Sequence, residues 1–252
     1  RDLHSFPTRR SSDLGALGEA LREARQAVSL LAGSPASRGI FGTLLVAELW
    51  ARLGNGHESN KALQEARRLI ARSGTIPPRV EFRISEVEAV QAWASGRLAD
   101  SRAYLARAPR ISNVRVAGLL YHNMLRCAVE AGSGVAALPT CEAVARTAKQ
   151  KGHESLVLAA GVYLAEAAAL KGDWTKAQSW LNGIRPSAAR LSAGELSWKV
   201  AAVSFLGGQA SERANLARIS EALRLNWGDR NFNTWLARPD IARLMSQTLR
   251  KR

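Results

Sequence analysis

Apolar residues recur every three or four positions along almost the whole chain, and no stretch alternates with period two for long enough to propose a strand. That pattern predicts an all-α protein. It is punctuated at regular places: Gly54, Gly96, Gly132, Gly172 and Gly207 each close one strongly apolar helix and are soon followed by a second, more charged one. Successive glycines lie 42, 36, 40 and 35 residues apart. Such a period marks stacked helix pairs, in which one pair is too small to hide its own apolar face and must lie against the next.

The periodicity places a lone helix near Leu17–Ala32, then helix pairs at 36–53 with 58–73, 79–95 with 98–110, 113–131 with 138–151, 154–171 with 173–185, and 192–206 with 209–225. A short helix near Asn231–Ala237 and another from Pro239 to about Leu249 follow. Pro77, Pro78, Pro139, Pro186 and Pro239 fall in connectors or first helical turns, where the missing N–H costs little. Start signals agree with this division. Ser192 and Glu195 have capping-box spacing, and Asp173, directly after Gly172, can cap the next helix.

The stretch Ala165-Glu166-Ala167-Ala168-Ala169-Leu170-Lys171-Gly172-Asp173-Trp174-Thr175-Lys176-Ala177 resembles a tetratricopeptide repeat, with a turn glycine followed five residues later by a small residue on the second helix. Leu49 to Gly54 with Ala62 and Ala66, and Trp93 to Gly96 with Ala103, are similar to it, but Gly54 to Ala62 is eight residues and Gly96 to Ala103 seven. Longer turns are therefore expected there. The resemblance covers most of residues 36–225 and implies a right-handed superhelix of stacked antiparallel helix pairs, with first helices lining a concave groove and second helices forming the convex face. Another α-solenoid and a compact helical bundle remain as alternatives. The family implies a protein or peptide partner and neither catalysis nor cofactor.

Residues 1–14 change what the rest can be asked. His4 to Asp13 back-translate into the adapter ligated to short-read sequencing libraries, so this stretch reads as non-native and the genuine chain as a fragment beginning near Gly15. The expected organisation is 1–14 adapter-derived, 15–225 helical repeats, and 226–252 capping helices with a basic tail. Together these describe a non-catalytic interaction scaffold, expected to be the C-terminal part of a larger bacterial regulatory or signalling protein. Export cannot be read from a fragment end, and a cytoplasmic setting is the default. The longest apolar run, Leu156 to Ala165, is too short for the roughly 20 residues of a spanning helix and reads as a core helix.

The chain carries a formal charge of +15, with 36 Lys and Arg against 21 Asp and Glu. Sorted by the proposed spans, the first helices carry no net charge and the second helices +8. Arg67, Arg68, Arg72, Arg102, Arg107, Arg146, Lys149 and Lys151 would stack as a ridge on the convex side. A solvated outer face explains such a ridge, and contact with nucleic acid or another anionic surface stands second. On the helix at 113–131, Arg115, His122 and Arg126 share a stripe with Asn123 beside it, and these four are the candidate groove contacts for a carboxylate or peptide backbone.

Catalytic patterns fail. His57-Glu58 and His153-Glu154 lack the second His of a zinc-binding H-E-x-x-H, and the nucleophile-elbow, phosphate-loop and dinucleotide-binding glycine patterns do not occur. Cys127 and Cys141, fourteen residues apart, fit neither a redox pair nor a zinc set and read as two buried thiols, with a bridge between them or a reactive site as the alternative. The seven Trp residues read as interhelical packing.

Overall fold

The computed structural model describes residues 16–31, 36–74, 77–107, 116–132, 138–191 and 194–250, and these are helical throughout apart from short turns. The adapter-like stretch lies outside them. Thirteen helices are formed among the described residues: α1 Leu17–Leu30, α2 Ala36–Arg52, α3 Gly56–Ser73, α4 Pro78–Ala94, α5 Leu98–Arg107, α6 Val116–Gly132, α7 Pro139–Gln150, α8 Glu154–Leu170, α9 Trp174–Leu191, α10 Gly194–Leu206, α11 Glu212–Trp227, α12 Asp229–Leu236 and α13 Pro239–Arg250.

The pairs α2/α3, α4/α5, α6/α7, α8/α9 and α10/α11 are antiparallel hairpins, and each first helix also packs on the next first helix in chain order. Two turn hydrogen bonds recur from hairpin to hairpin. Gly54 N–H donates to Ala51 O at 2.8 Å and Asn55 N–H to Trp50 O at 2.9 Å, and Gly96 with Arg97, Gly172 with Asp173, and Gly208 with Gln209 repeat the pair. This closure satisfies the orphan carbonyls of the first helix. In the last hairpin Gly208, with φ +100°, takes the left-handed position expected of Gly207. Asp173 caps the following helix as its position implies, accepting from Lys176 N–H at 3.0 Å.

The turns at Gly54 and Gly96 are not lengthened. Five residues after each glycine stands a fully buried serine, Ser59 and Ser101, where the fourth hairpin has Ala177. Ser59 Oγ donates to Ala47 O at 2.6 Å and Ser101 Oγ to Ala89 O at 2.8 Å, so each hydroxyl is satisfied in a space otherwise suited to a methyl group. The register of all three turns is the same, and Ala103 faces solvent instead.

Three further expectations change. Pro186 lies inside α9 rather than in a connector. It is exposed, as is Asn182 four residues earlier, so the carbonyl deprived of its helical donor faces water. Cys127 and Cys141 are not free thiols: they face each other across the α6/α7 hairpin, both fully buried, with Sγ–Sγ 2.12 Å. The lone α1 packs on α2 and also on α11, bringing the two ends of the stack together. Gly18 is the close approach there, since a Cβ on it would lie 2.4 Å from the Trp227 ring.

The first helices converge. Arg52 of α2, Trp93 of α4, Tyr121 of α6, Leu156 of α8 and Leu196 of α10 line one small central pocket of about 30 Å³. Around that pocket the described first helices pack against one another, and α8 is buried along almost its whole length, from Leu156 to Ala169. Trp packing is most concentrated at the C-terminal end, where Trp235 meets Trp198 and Trp227 edge-to-face at 5.1 and 5.2 Å.

Candidate functional site

A buried charge beside an apolar core must be paired, and the inner side of the stack holds two such clusters. In the first, Arg83 of α4 is bonded to Glu48 of α2 and, at 2.8 Å, to Glu86, while the Tyr121 hydroxyl donates to Glu48. His122 packs 5.2 Å from the Phe82 ring, and its Nδ1 lies 3.6 Å from Glu86 Oε1, too far for a hydrogen bond.

The second cluster fixes the C-terminal helices. Arg238, between α12 and α13, donates to both oxygens of Glu195 on α10 at 2.8 and 3.1 Å and to both of Asp240 at 2.7 and 3.0 Å. Lys199 on α10 bridges Glu166 of α8 at 2.8 Å and Asp240 at 3.0 Å. Arg243 of α13 approaches Glu166 at 3.7 Å. Three cations thus face three carboxylates.

Arg238 also donates to Arg52 O, and Arg243 to Gly132 O at 3.0 Å, placing positive charge at the negative ends of α2 and α6. Thr234 donates to Leu53 O at 2.8 Å, and Pro239 lies beside Gly96. The tail is therefore a strap across the C-terminal ends of the first helices of the first three hairpins.

Protonation follows from this pairing. Burial alone would push Asp240 up, but Arg238 and Lys199 more than reverse that and hold it far below the usual carboxylate range. Glu195 is lowered against its own burial, chiefly by Arg238. Burial would lower Lys199, yet Glu166 and Asp240 raise it well above the ordinary lysine value. Tyr163, beside Lys199, is pushed up by burial.

Of the candidate groove residues, the described three do not share one surface. Arg115 lies outside the described residues, and His122 is buried against α4. Asn123 and Arg126 occupy the side of α6 turned away from Tyr121 and Leu125, which line the central pocket. There Arg126, with 46% of its side chain exposed, stands between two surface grooves. One, of about 400 Å³, runs between α6 and α7 past Leu119, Asn123, Thr140 and Thr147; the other, of about 440 Å³, runs between α5 and α6 past Arg102 and Val129.

The ridge residues are all exposed and differ in their pairing. Arg67 and Arg107 converge on Glu88 at 2.6 and 3.4 Å, and Arg68 pairs with Glu65 at 3.3 Å. Among the described residues Arg72, Arg102, Arg146, Lys149 and Lys151 have no ion pair. Nor does any group of three or more His, Cys, Asp or Glu there stand ready to hold a metal ion. No described helix is long and apolar enough to cross a membrane.

Neither ionic cluster was anticipated from the sequence. The signal was present: Glu166 sits in an otherwise apolar run, and Lys199 in another, and such residues need buried partners. No family model, curated protein or solved structure matches this chain.

Proposed function

We propose that the chain is a non-catalytic helical-repeat module, tetratricopeptide-like in its stacking, that binds another protein and serves as part of a larger bacterial regulatory or signalling protein. The observation that carries this reading is the allocation of polar groups. On the inner side Arg238, Lys199, Glu195, Glu166 and Asp240 are engaged with one another and with the tail, whereas the outer face of α5 to α7 presents grooves with an unpaired Arg102 and a loosely held Arg126. Grooves between rigid helices, with apolar floors and a few polar groups, suit the recognition of another chain.

The test is saturation binding. Proteins retained by the immobilised intact chain are identified, purified and titrated against it. A one-to-one isotherm in the micromolar range or tighter supports the module. If nothing that is retained saturates, the reading is wrong.

The five unpaired ridge cations favour a second reading, a basic stack that binds nucleic acid or another anionic surface through its convex face. Random-sequence RNA and DNA titrated at about 0.15 M salt decide it. Tight binding that falls steeply with added salt would put this reading first.

A further inference from the structure

We propose that the outer grooves on both sides of Arg126 form one docking site for an acidic peptide segment, which seats an aliphatic side chain between α6 and α7 and places carboxylates on Arg126 and Arg102. The proposal rests on the protein-binding reading and names the chemistry of the partner.

Four observations carry it. Arg126 lines both grooves, so one guanidinium joins them. Its only ion-pair neighbour among the described residues, Glu130, is 3.9 Å away and accepts the Thr140 hydroxyl at 2.9 Å, leaving the guanidinium able to take a carboxylate in two-pronged fashion. Arg102, on the far wall, is exposed and unpaired. Beneath them the floor is aliphatic, made by Leu120 and Val144 on one side and Leu105 and Val129 on the other, with Leu119 38% exposed at the rim.

Charge and composition select the occupant. The charged residues lining the two grooves are Arg102, Arg126 and Glu130, a net positive set whose one carboxylate already accepts the Thr140 hydroxyl. A second copy docked face to face through the same grooves would set Arg102 and Arg126 against their own copies and be repelled. A nucleic acid would find no platform, because no aromatic ring among the described residues lines either groove, and it would leave the aliphatic floor uncovered. An acidic segment with an aliphatic residue satisfies both features.

The experiment is selection of a random peptide display library against the intact chain at about 0.15 M salt. Enriched sequences are expected to carry Asp or Glu flanking Leu, Ile or Met. The corresponding synthetic peptide should bind about tenfold more weakly, or worse, to Arg126→Glu and to Arg102→Glu. Arg218→Glu, an exposed change on α11, should stay within about twofold. Ala143→Trp fills the α6/α7 groove without altering charge and should also abolish binding, and thermal melts by circular dichroism establish that each variant is folded.

Failure to enrich peptides, enrichment of peptides without acids, full binding to folded Ala143→Trp, or displacement of the peptide by random RNA would each overturn the proposal. A protein partner that binds Arg126→Glu unchanged removes this groove and leaves the module reading in place. Absence of any saturating protein removes the module reading, while the peptide selection still reports on the groove.

Discussion

Arg238 and Glu195, 43 residues apart in sequence and each about 1% exposed or less, face each other through two parallel hydrogen bonds of 2.8 and 3.1 Å. Neither could be buried alone. Together with Asp240 they place opposite charges in contact where water is excluded, and the Arg238 guanidinium also stacks over Trp93 with its Cζ 4.5 Å from the ring centroid. The pair joins the turn between α12 and α13 to α10, while Trp93 and the Arg52 carbonyl tie the same guanidinium to α4 and α2. One side chain therefore fixes the tail against three of the five hairpins.

Replacing Arg238 by Met should destabilise the fold by about 3–5 kcal/mol, because Glu195 stays buried without its hydrogen-bonded cation and Asp240 keeps only Lys199. Glu195→Gln alone should cost less, since the amide can still accept one of the two bonds. Urea unfolding of both single variants and the double variant gives the coupling energy. Additive effects would mean that the two side chains do not act as a pair.

The paired charges also set a pH window. Asp240 and Glu195 titrate below their unfolded values, so their contribution is complete above the ordinary carboxylate pKa of about 4 and is lost as pH falls toward their folded values. Lys199 is raised, so its contribution is complete below the ordinary lysine value of about 10.4 and fades only above it. Stability measured by urea midpoint should be flat between about pH 5 and 9 and fall on the acid side. Asp240→Asn should lower the plateau and flatten the acid limb, and an unchanged acid limb would show that this carboxylate does not govern it.

How much of this was legible follows from the range of each interaction. Helix positions and the hairpin order depend on neighbours a few residues apart, and among the described residues the spans read from apolar spacing match those observed within a few residues, apart from the end of α9. After Gly54 and Gly96 a buried serine that bonds the preceding helix fills the space an alanine fills after Gly172, so the spacing to the nearest alanine overstates the length of those two turns. The interior was hidden by arithmetic. The first helices sum to no net charge, and that sum conceals Glu48, Arg83 and Glu86 in one cluster and Glu166, Glu195 and Lys199 in another, the second completed by Arg238 and Asp240 from the tail. No local rule pairs residues 40 apart. His122 and Arg126 shared a helical stripe on paper, but the width of that stripe spans a buried edge and an exposed one.

The disulfide between Cys127 and Cys141 closes a short loop within one hairpin, and loops of about 15 residues are worth roughly 3 kcal/mol through the unfolded chain. Both sulfurs are fully buried, so reduction in the native state should be slow and should require local opening of α6 and α7. Cys127→Ser with Cys141→Ser should lower the melting temperature by several degrees, and reductant should then have no further effect. A melting temperature insensitive to both changes would mean that the bridge adds nothing to the fold.

Gly54 and Gly172 share one backbone conformation, with φ +76° and +77°, and differ only in what surrounds them. A Cβ on Gly172 would meet nothing within 4 Å, so Gly172→Ala isolates the cost of holding a non-glycine residue in the left-handed region, roughly 1–2 kcal/mol. A Cβ on Gly54 would lie 2.3 Å from the Thr234 carbonyl oxygen, a backbone atom that can yield only if the strap moves away from the first hairpin. Gly54→Ala should therefore exceed the cost of Gly172→Ala by a further 1 kcal/mol or about that. It should also speed amide exchange in α12 and α13, which the Gly172 variant should leave protected. Equal costs and equal exchange in the two variants would mean that the tail does not bear on the Gly54 turn in solution, and the strap would lose its contact with the start of the stack.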